Sequence, residues 1–262
     1  IAMTTPATPV FLDAAAVSLY IFFAFFAGLI YYLTRENKRE GYPMVGELPD
    51  RPGFATMHGF PETPAPKVFR LHYPEGATVV QGVRPERDVS AQLVPDYPYP
   101  GTAFVPTGDA MKDGVGPAAY ADRADIPDLA YDDNKPKIVP LRAAPGWHIA
   151  HEDPDPRGKS VITLDGAVAA TVVDLWVDRS EYILRYLEAE VPGGRRILVP
   201  MFLCTFNDEG TTQVISVTAS QFAAAPGIAR PEQITLLEED RISAYFGGGH
   251  FYATPERSES CL

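Results

Sequence analysis

Five carboxylates fall within seventeen residues: Asp174, Asp178, Glu181, Glu188 and Glu190, with Arg185 four residues after Glu181. Acids packed this closely have two readings. They can line a solvated strand face, where screened pairs contribute little. They can also form a half-buried cluster with coupled protonation, suited to moving protons. Periodicity alone favours the first. His148 and His151, followed by Glu152 and Asp153, have metal-ligand side chains. No helix is evident there to align them, so two solvated loop histidines is the plainer reading. Cys204 and Cys261 lie far apart and make neither a disulfide framework nor a metal knuckle. Gly247-Gly-Gly249 lacks the Lys and Ser/Thr of a phosphate-binding loop, and no Gly-x-Ser-x-Gly occurs. No pattern of nucleophilic, metal-assisted or nucleotide-dependent catalysis emerges.

The elements that must position these acids are short strands. Val161–Leu164, the Asp165-Gly166 turn and Ala167–Val177 read as a hairpin. Ile183–Val191 follows, with Leu187, Ala189 and Val191 on one face and Glu188 and Glu190 on the other. Gly193-Gly194 turns the chain into Arg196–Val199, and Leu203–Phe206 and Gln213–Val217 continue the series. Regular short strands with tight turns predict a small antiparallel barrel, closed so that no edge is exposed. Leu236, Leu237, Ile242 and Tyr245 suit a short amphipathic helix over Thr235–Tyr245, stopped by the three glycines.

Upstream lies a different kind of sequence. Residues 14–33 read AAAVSLYIFFAFFAGLIYYL, without a charge. Twenty helical residues span about 30 Å, the thickness of a bilayer's hydrocarbon core. Arg35, Lys38 and Arg39 follow, and no Lys or Arg precedes the run. That asymmetry puts the N-terminus outside and the bulk of the chain in the cytoplasm. Tyr31 and Tyr32 sit where an interfacial aromatic belt belongs, beside the basic anchor, which anionic lipid headgroups would hold at about 1 kcal/mol per cation. A signal peptide is disfavoured, because its cations would precede a shorter apolar core.

The remaining division follows composition. Residues 1–13 form an outer tail. Residues 34–136 form an extended, Pro-rich segment with short strands at Lys67–Tyr73 and Ala77–Val80, and an acidic loop at Pro127–Pro136. Residues 137–262 hold the barrel and a C-terminal tail. With 26 prolines and 21 glycines in 262 residues, turns and strands outweigh helices. A net charge of −12 makes nucleic acid a poor partner.

Blocks along nearly the whole chain then converge on one family. They are Gly28-Leu-Ile-Tyr-Tyr-Leu33, Arg39-Glu-Gly-Tyr-Pro43, Pro106-Thr-Gly-Asp109, Asp113-Gly-Val-Gly-Pro117, Lys137-Ile-Val-Pro-Leu-Arg142, Asp174-Leu-Trp-Val-Asp178, Arg185-Tyr-Leu-Glu188, Gln233-Ile-Thr-Leu-Leu237 with Glu238-Glu-Asp240, and Tyr252-Ala-Thr-Pro-Glu256. In that order the sequence resembles the H subunit of the purple-bacterial photosynthetic reaction centre.

The resemblance implies a subunit of a light-driven electron-transfer complex with no catalytic site of its own. It implies a single-pass protein of the intracytoplasmic (chromatophore) membrane, carrying a PRC-barrel on the cytoplasmic side. Its partners would be the L and M subunits, with a core light-harvesting antenna, a cytochrome subunit and anionic lipids as further candidates. Bacteriochlorophyll, bacteriopheophytin, quinones, non-haem iron and carotenoid would sit on L and M, none on this chain. The chain would aid assembly and conduct protons to the secondary quinone. The matching relay positions are Glu181 and Arg185, with Asp178 just upstream. Where relatives carry surface histidines before an Asn-Lys pair, this chain has Asp132 and Asp133 before Asn134-Lys135, so that proton uptake would use those two or another route. A membrane-tethered barrel acting as an adaptor for other cytoplasmic proteins is the alternative.

Overall fold

The structure, a computed structural model, describes residues 13–40, 60–70, 78–80, 87–99, 102–207 and 210–258. Its elements in order are α1 (Ala14–Asn37), β1 (Val68–Arg70), β2 (Thr78–Val80), β3 (Leu93–Pro95), β4 (Phe104–Pro106), α2 (Ala110–Asp113) and β5 (Ile138–Pro140). Then come β6 (Ser160–Thr163), β7 (Val168–Asp178), β8 (Ile183–Glu190), β9 (Arg196–Pro200), β10 (Thr205–Phe206), β11 (Thr212–Val214), α3 (Ala219–Ala224) and α4 (Leu236–Tyr252). The outer tail, most of the Pro-rich stretch after the helix, and Cys261 lie outside the described residues.

Two compact units are present. The smaller holds α1 and the antiparallel β1–β2 pair, in the register Val68↔Val80. None of the 24 residues of α1 is buried, although it is almost wholly apolar. The hydroxyls of Ser18, in the apolar run, and of Thr34, just after it, are satisfied inside the helix. Ser18 Oγ donates to the Ala14 carbonyl at 2.9 Å, and Thr34 Oγ1 donates to the Ile30 carbonyl at 2.8 Å. That is what a hydrocarbon surround requires, since it offers no water to pair them.

The larger unit is built on one sheet in the order β10-β11-β6-β7-β8-β9, with β5 also on β7. β7 is the spine. Its first half pairs with β6 (Val161↔Ala170), and its end passes that edge to β5 (Ile138↔Asp178). Register shifts between Val172 and Asp174 and between Trp176 and Val177 bend it against β8. Bulges of this kind raise twist and re-aim side chains. Two features differ from the expected closed antiparallel barrel. β11 runs parallel to β6, because the hairpin from β10 returns the chain in β6's direction. The strand path also stays open between β9 and β10 among the described residues. A mainly-β domain of the expected strands, with a C-terminal helix, is nonetheless present.

The core lies between this sheet and the two C-terminal helices. Val161, Leu175, Trp176, Leu187, Ile197 and Val214 are essentially inaccessible. Phe222 of α3 meets Phe246 of α4 edge-on, with ring centres 5.7 Å apart. α4 starts with a reciprocal cap, in which the Thr235 hydroxyl accepts from Glu238 N and the Glu238 carboxylate accepts from Thr235 N. The helix does not stop at Gly247-Gly-Gly249 as expected. It runs through them to Tyr252. A Cβ on Gly248 would lie 2.5 Å from that of Ala118, and one on Gly249 would collide with the Ser216 carbonyl. These two glycines permit close approach. Residues 110–118, within the segment expected to be extended, supply buried Ala110, Met111, Val115 and Ala118, and α2 and the turn at 116–118 pack against α4.

Candidate functional site

The sheet divides the five carboxylates between two networks. Asp178 closes β7, and its side chain is fully buried. One oxygen accepts from the backbone N–H of Ser180 (3.0 Å) and of Glu181 (2.9 Å), which shapes the turn into β8. Tyr182, in the left-handed region at φ 59°, completes that turn by donating to the Asp178 carbonyl. The other Asp178 oxygen faces Arg185 Nε at 3.3 Å and Lys137 Nζ at 3.4 Å. Both cations also hold the exposed Glu181. Arg185 Nη2 donates to one of its oxygens at 2.6 Å, and Lys137 Nζ donates to the other at 3.1 Å. The three residues singled out from sequence thus meet in one cluster, a buried and an exposed carboxylate bridged twice by cations.

Lys137 was not among the site residues expected from the sequence. It stands forty-four positions from Glu181, and only the β5–β7 pairing, with Arg179 N donating to the Lys137 carbonyl, brings it in. Burial opposes its charge. The Glu181 hydrogen bond and the charges of Asp178 and Glu181 outweigh that and hold the ammonium above its ordinary value.

Asp133 lies on the turn beside this cluster. Arg179, next to Asp178 in sequence, grips it with two hydrogen bonds of 2.7 and 3.1 Å. Those bonds are the main reason the Asp133 carboxyl is held at about 2. Asp132 is exposed and acts on Arg179 through its charge.

Asp174 and Glu188 face each other across β7 and β8 and are both buried. Like charges so placed repel. Arg142 resolves this by donating through Nη1 to Asp174 at 3.0 Å and to Glu188 at 2.5 Å. Trp176 Nε1 donates to Glu188 at 2.8 Å, and Arg196 Nη1 adds a bond at 3.1 Å. The solvated face expected at Glu188 is therefore covered, whereas Glu190 stays half-exposed beside Arg196. His148 and His151 are exposed, and no group of three His, Cys, Asp or Glu is placed to hold a metal among the described residues. Burial pushes the Cys204 thiol up to about 12, far from the reactive thiolate.

The anchor residues belong to the smaller unit. Tyr31 packs on Phe60 with ring centres 5.6 Å apart, Arg39 pairs with Glu36 at 3.0 Å, and Lys38 Nζ donates to the Pro61 carbonyl at 2.5 Å. Arg35 and Tyr32 are exposed.

Comparison with known families places these features. The PRC-barrel domain matches residues 148–217, the stretch that carries β6 to β11 and both halves of the β7–β8 hairpin. The photosynthetic reaction centre H-chain N-terminal region matches residues 8–143, more than half of the chain and including α1. The chain belongs to the H-chain family of the photosynthetic reaction centre. It is accordingly a structural reaction-centre subunit, and one apolar N-terminal helix fits its attachment to a membrane. Family membership implies association with L and M and places the complex's cofactors on other subunits.

Proposed function

We propose that this chain covers L and M on the cytoplasmic side, supports their assembly, and conducts protons toward the secondary quinone. One observation carries the conducting role. An exposed carboxylate, Glu181, is joined to a buried one, Asp178, by two cations that contact both. When Glu181 takes a proton from water, its ion pairs weaken and Arg185 and Lys137 remain on Asp178. The local excess of positive charge then drives the proton onward to an acceptor in the partner subunits, and the cluster returns to its starting charge. Carboxylates held in such a balance are suited to relays.

Asp133, held at about 2, stays ionised at neutral pH and serves as the fixed anion that orients Arg179. The uptake step at the surface then rests on Asp132. α1 would cross the membrane with its N-terminus periplasmic and Arg35, Lys38 and Arg39 at the cytoplasmic headgroups, flanked by Tyr31 and Tyr32. Antenna and cytochrome neighbours would surround the complex in the chromatophore membrane.

The test is kinetic. In complexes carrying Glu181→Gln, pigments should be retained and the second electron transfer to the secondary quinone slowed. A wild-type rate across pH would remove Glu181 from the route, and a wild-type rate in Asp132→Asn/Asp133→Asn would remove the uptake point. Reversing the charges of Arg35, Lys38 and Arg39 should lower the yield of assembled complex; an undiminished yield would contradict the anchor.

A further inference from the structure

One stretch of the larger unit carries almost no charge. Residues 89–108 read VSAQLVPDYPYPGTAFVPTG, with Asp96 the single charge in twenty, in a chain where 21% of residues are charged. No Lys or Arg falls between Arg87 and Lys112. β3 and β4 occupy this stretch and, among the described residues, pair only with each other. Their side chains are not taken up by the core. Val94 is 43% exposed, Tyr97 56%, Tyr99 58% and Phe104 38%. Val94 stands opposite Val105, and Phe104 opposite Pro95, one position along. Successive strand residues point to opposite faces, so Val94 and Phe104 lie on the two sides of the ribbon. Beyond them Tyr97 and Tyr99 stack, with ring centres 5.8 Å apart and planes 16° from parallel. The turn pairs its own backbone. Asp96 N donates to the Ala103 carbonyl at 2.9 Å, Tyr97 N to the Thr102 hydroxyl at 3.2 Å and Thr102 N to the Tyr99 carbonyl at 3.3 Å. The foot of the ribbon is fixed by Arg87, which donates to the Asp113 and Gly114 carbonyls at 2.6 and 3.3 Å and lies 3.9 Å from the centre of the Tyr120 ring.

A two-stranded ribbon gains little stability by itself, and aromatic side chains exposed at its tip need a surface to cover them. The side chains select that surface. A flat protein partner would cover one face of the ribbon, whereas here both faces and the tip are apolar and exposed. Tyrosine rings favour the layer between headgroups and hydrocarbon, where the ring is in apolar surroundings and the hydroxyl stays wet. Pro95 and Pro98 have no N–H, and the paired turn brings few unmet donors to that layer. α1 keeps a bilayer within the chain's reach, which raises the effective concentration of lipid for a weak contact.

We propose that the β3–β4 hairpin is a second membrane contact, which enters tip first and seats Tyr97 and Tyr99 in the interfacial layer of neutral phospholipid. Asp96, directly after β3, keeps its charge at the headgroups and limits the depth. The contact differs in kind from the basic anchor after α1. It offers anionic headgroups no cation to hold, and salt does not screen it. It rests on membrane attachment and not on the conduction of protons.

The test is nitroxide accessibility in the assembled complex, in nanodiscs of phosphatidylcholine. The label is placed on Tyr99→Cys in a chain that also carries Cys261→Ser, and the signal of the complex with Cys261→Ser alone is subtracted. Oxygen, which concentrates in lipid, should relax the label several-fold more than a water-soluble nickel chelate, in low and in high salt alike. Relaxation dominated by the nickel chelate puts the tip in water and overturns the proposal. A label shielded from both agents is covered by a protein subunit, which overturns it as well. An oxygen preference that disappears in high salt would show a contact held by charge and overturn the uncharged one. Should Tyr99→Cys fail to assemble, Tyr97→Cys is read in the same way, and if neither assembles, the same labels on the full chain alone in nanodiscs decide.

Discussion

Alanine at Gly247 and at Gly249 should change stability in opposite directions. Both residues lie inside α4, where glycine costs about 1 kcal/mol relative to alanine, so the helix alone favours both replacements equally. Their surroundings differ. A Cβ at Gly247 meets no atom within 4 Å. At Gly249 it would overlap the Ser216 carbonyl and lie 2.8 Å from Val217 Cγ1, and both neighbours are fully buried, with no room to retreat. Overpacking of this kind costs about 1–3 kcal/mol or more, which exceeds the helical gain. Gly247→Ala should therefore stabilise by about 0.5–1 kcal/mol and Gly249→Ala destabilise by about 1–2 kcal/mol. At about 2–4 °C per kcal/mol for a folded unit of this size, the melting temperatures should separate by roughly 3–12 °C. Thermal unfolding of the full chain in detergent, followed by emission of the buried Trp176, reads the difference. Equal shifts of the same sign would refute the claim that one glycine is there for contact and the other is not.

Two further outcomes follow from the buried charges. Arg142→Met removes the cation shared by Asp174 and Glu188; removing one partner of a buried pair costs about 3–5 kcal/mol, reduced to about 2–4 here because two backbone N–H groups remain on Asp174 and Trp176 and Arg196 remain on Glu188. Adding Asp174→Asn and Glu188→Gln should recover most of that in denaturant unfolding, and a triple variant no more stable than the single one would show that stranded charge is not the cause. For Glu239 of α4, part-buried and hydrogen-bonded by the Tyr186 hydroxyl at 3.1 Å, desolvation holds the folded carboxyl above its ordinary 4.5. Its contribution to stability is present below that value and lost as pH rises through the folded one. Glu239→Gln should thus melt higher than wild type at pH 7, with the gap closing below about pH 4; a constant gap would contradict the sign.

Much of this was legible in the residues, where the signals were local. Asp165-Gly166 and Gly193-Gly194 marked turns that the structure contains, and the length and flanks of α1 marked an apolar helix without burial in its own chain. Asp178, Glu181 and Arg185 lie within eight residues on one hairpin, so spacing alone could group them. What spacing could not supply was partners from afar. Lys137 reaches Glu181, and Arg142 reaches Asp174 and Glu188, only through the pairing of β5 with the end of β7. Tyr186 likewise meets Glu239 of α4 across fifty-three positions. The glycine run misled for a related reason. A stop signal and a close-contact surface use the same residue, and only the neighbour decides which is present.

Flash-induced proton uptake, followed with a pH-indicator dye in complexes extracted gently through this chain, tests the proposed role most directly. Wild-type complexes should carry near-infrared bands that bleach reversibly in light and should take up protons with quinone reduction, and Glu181→Gln should slow that uptake while leaving the bleaching intact. Uptake at the wild-type rate in Glu181→Gln, or a colourless complex with unpigmented partners, would contradict the account.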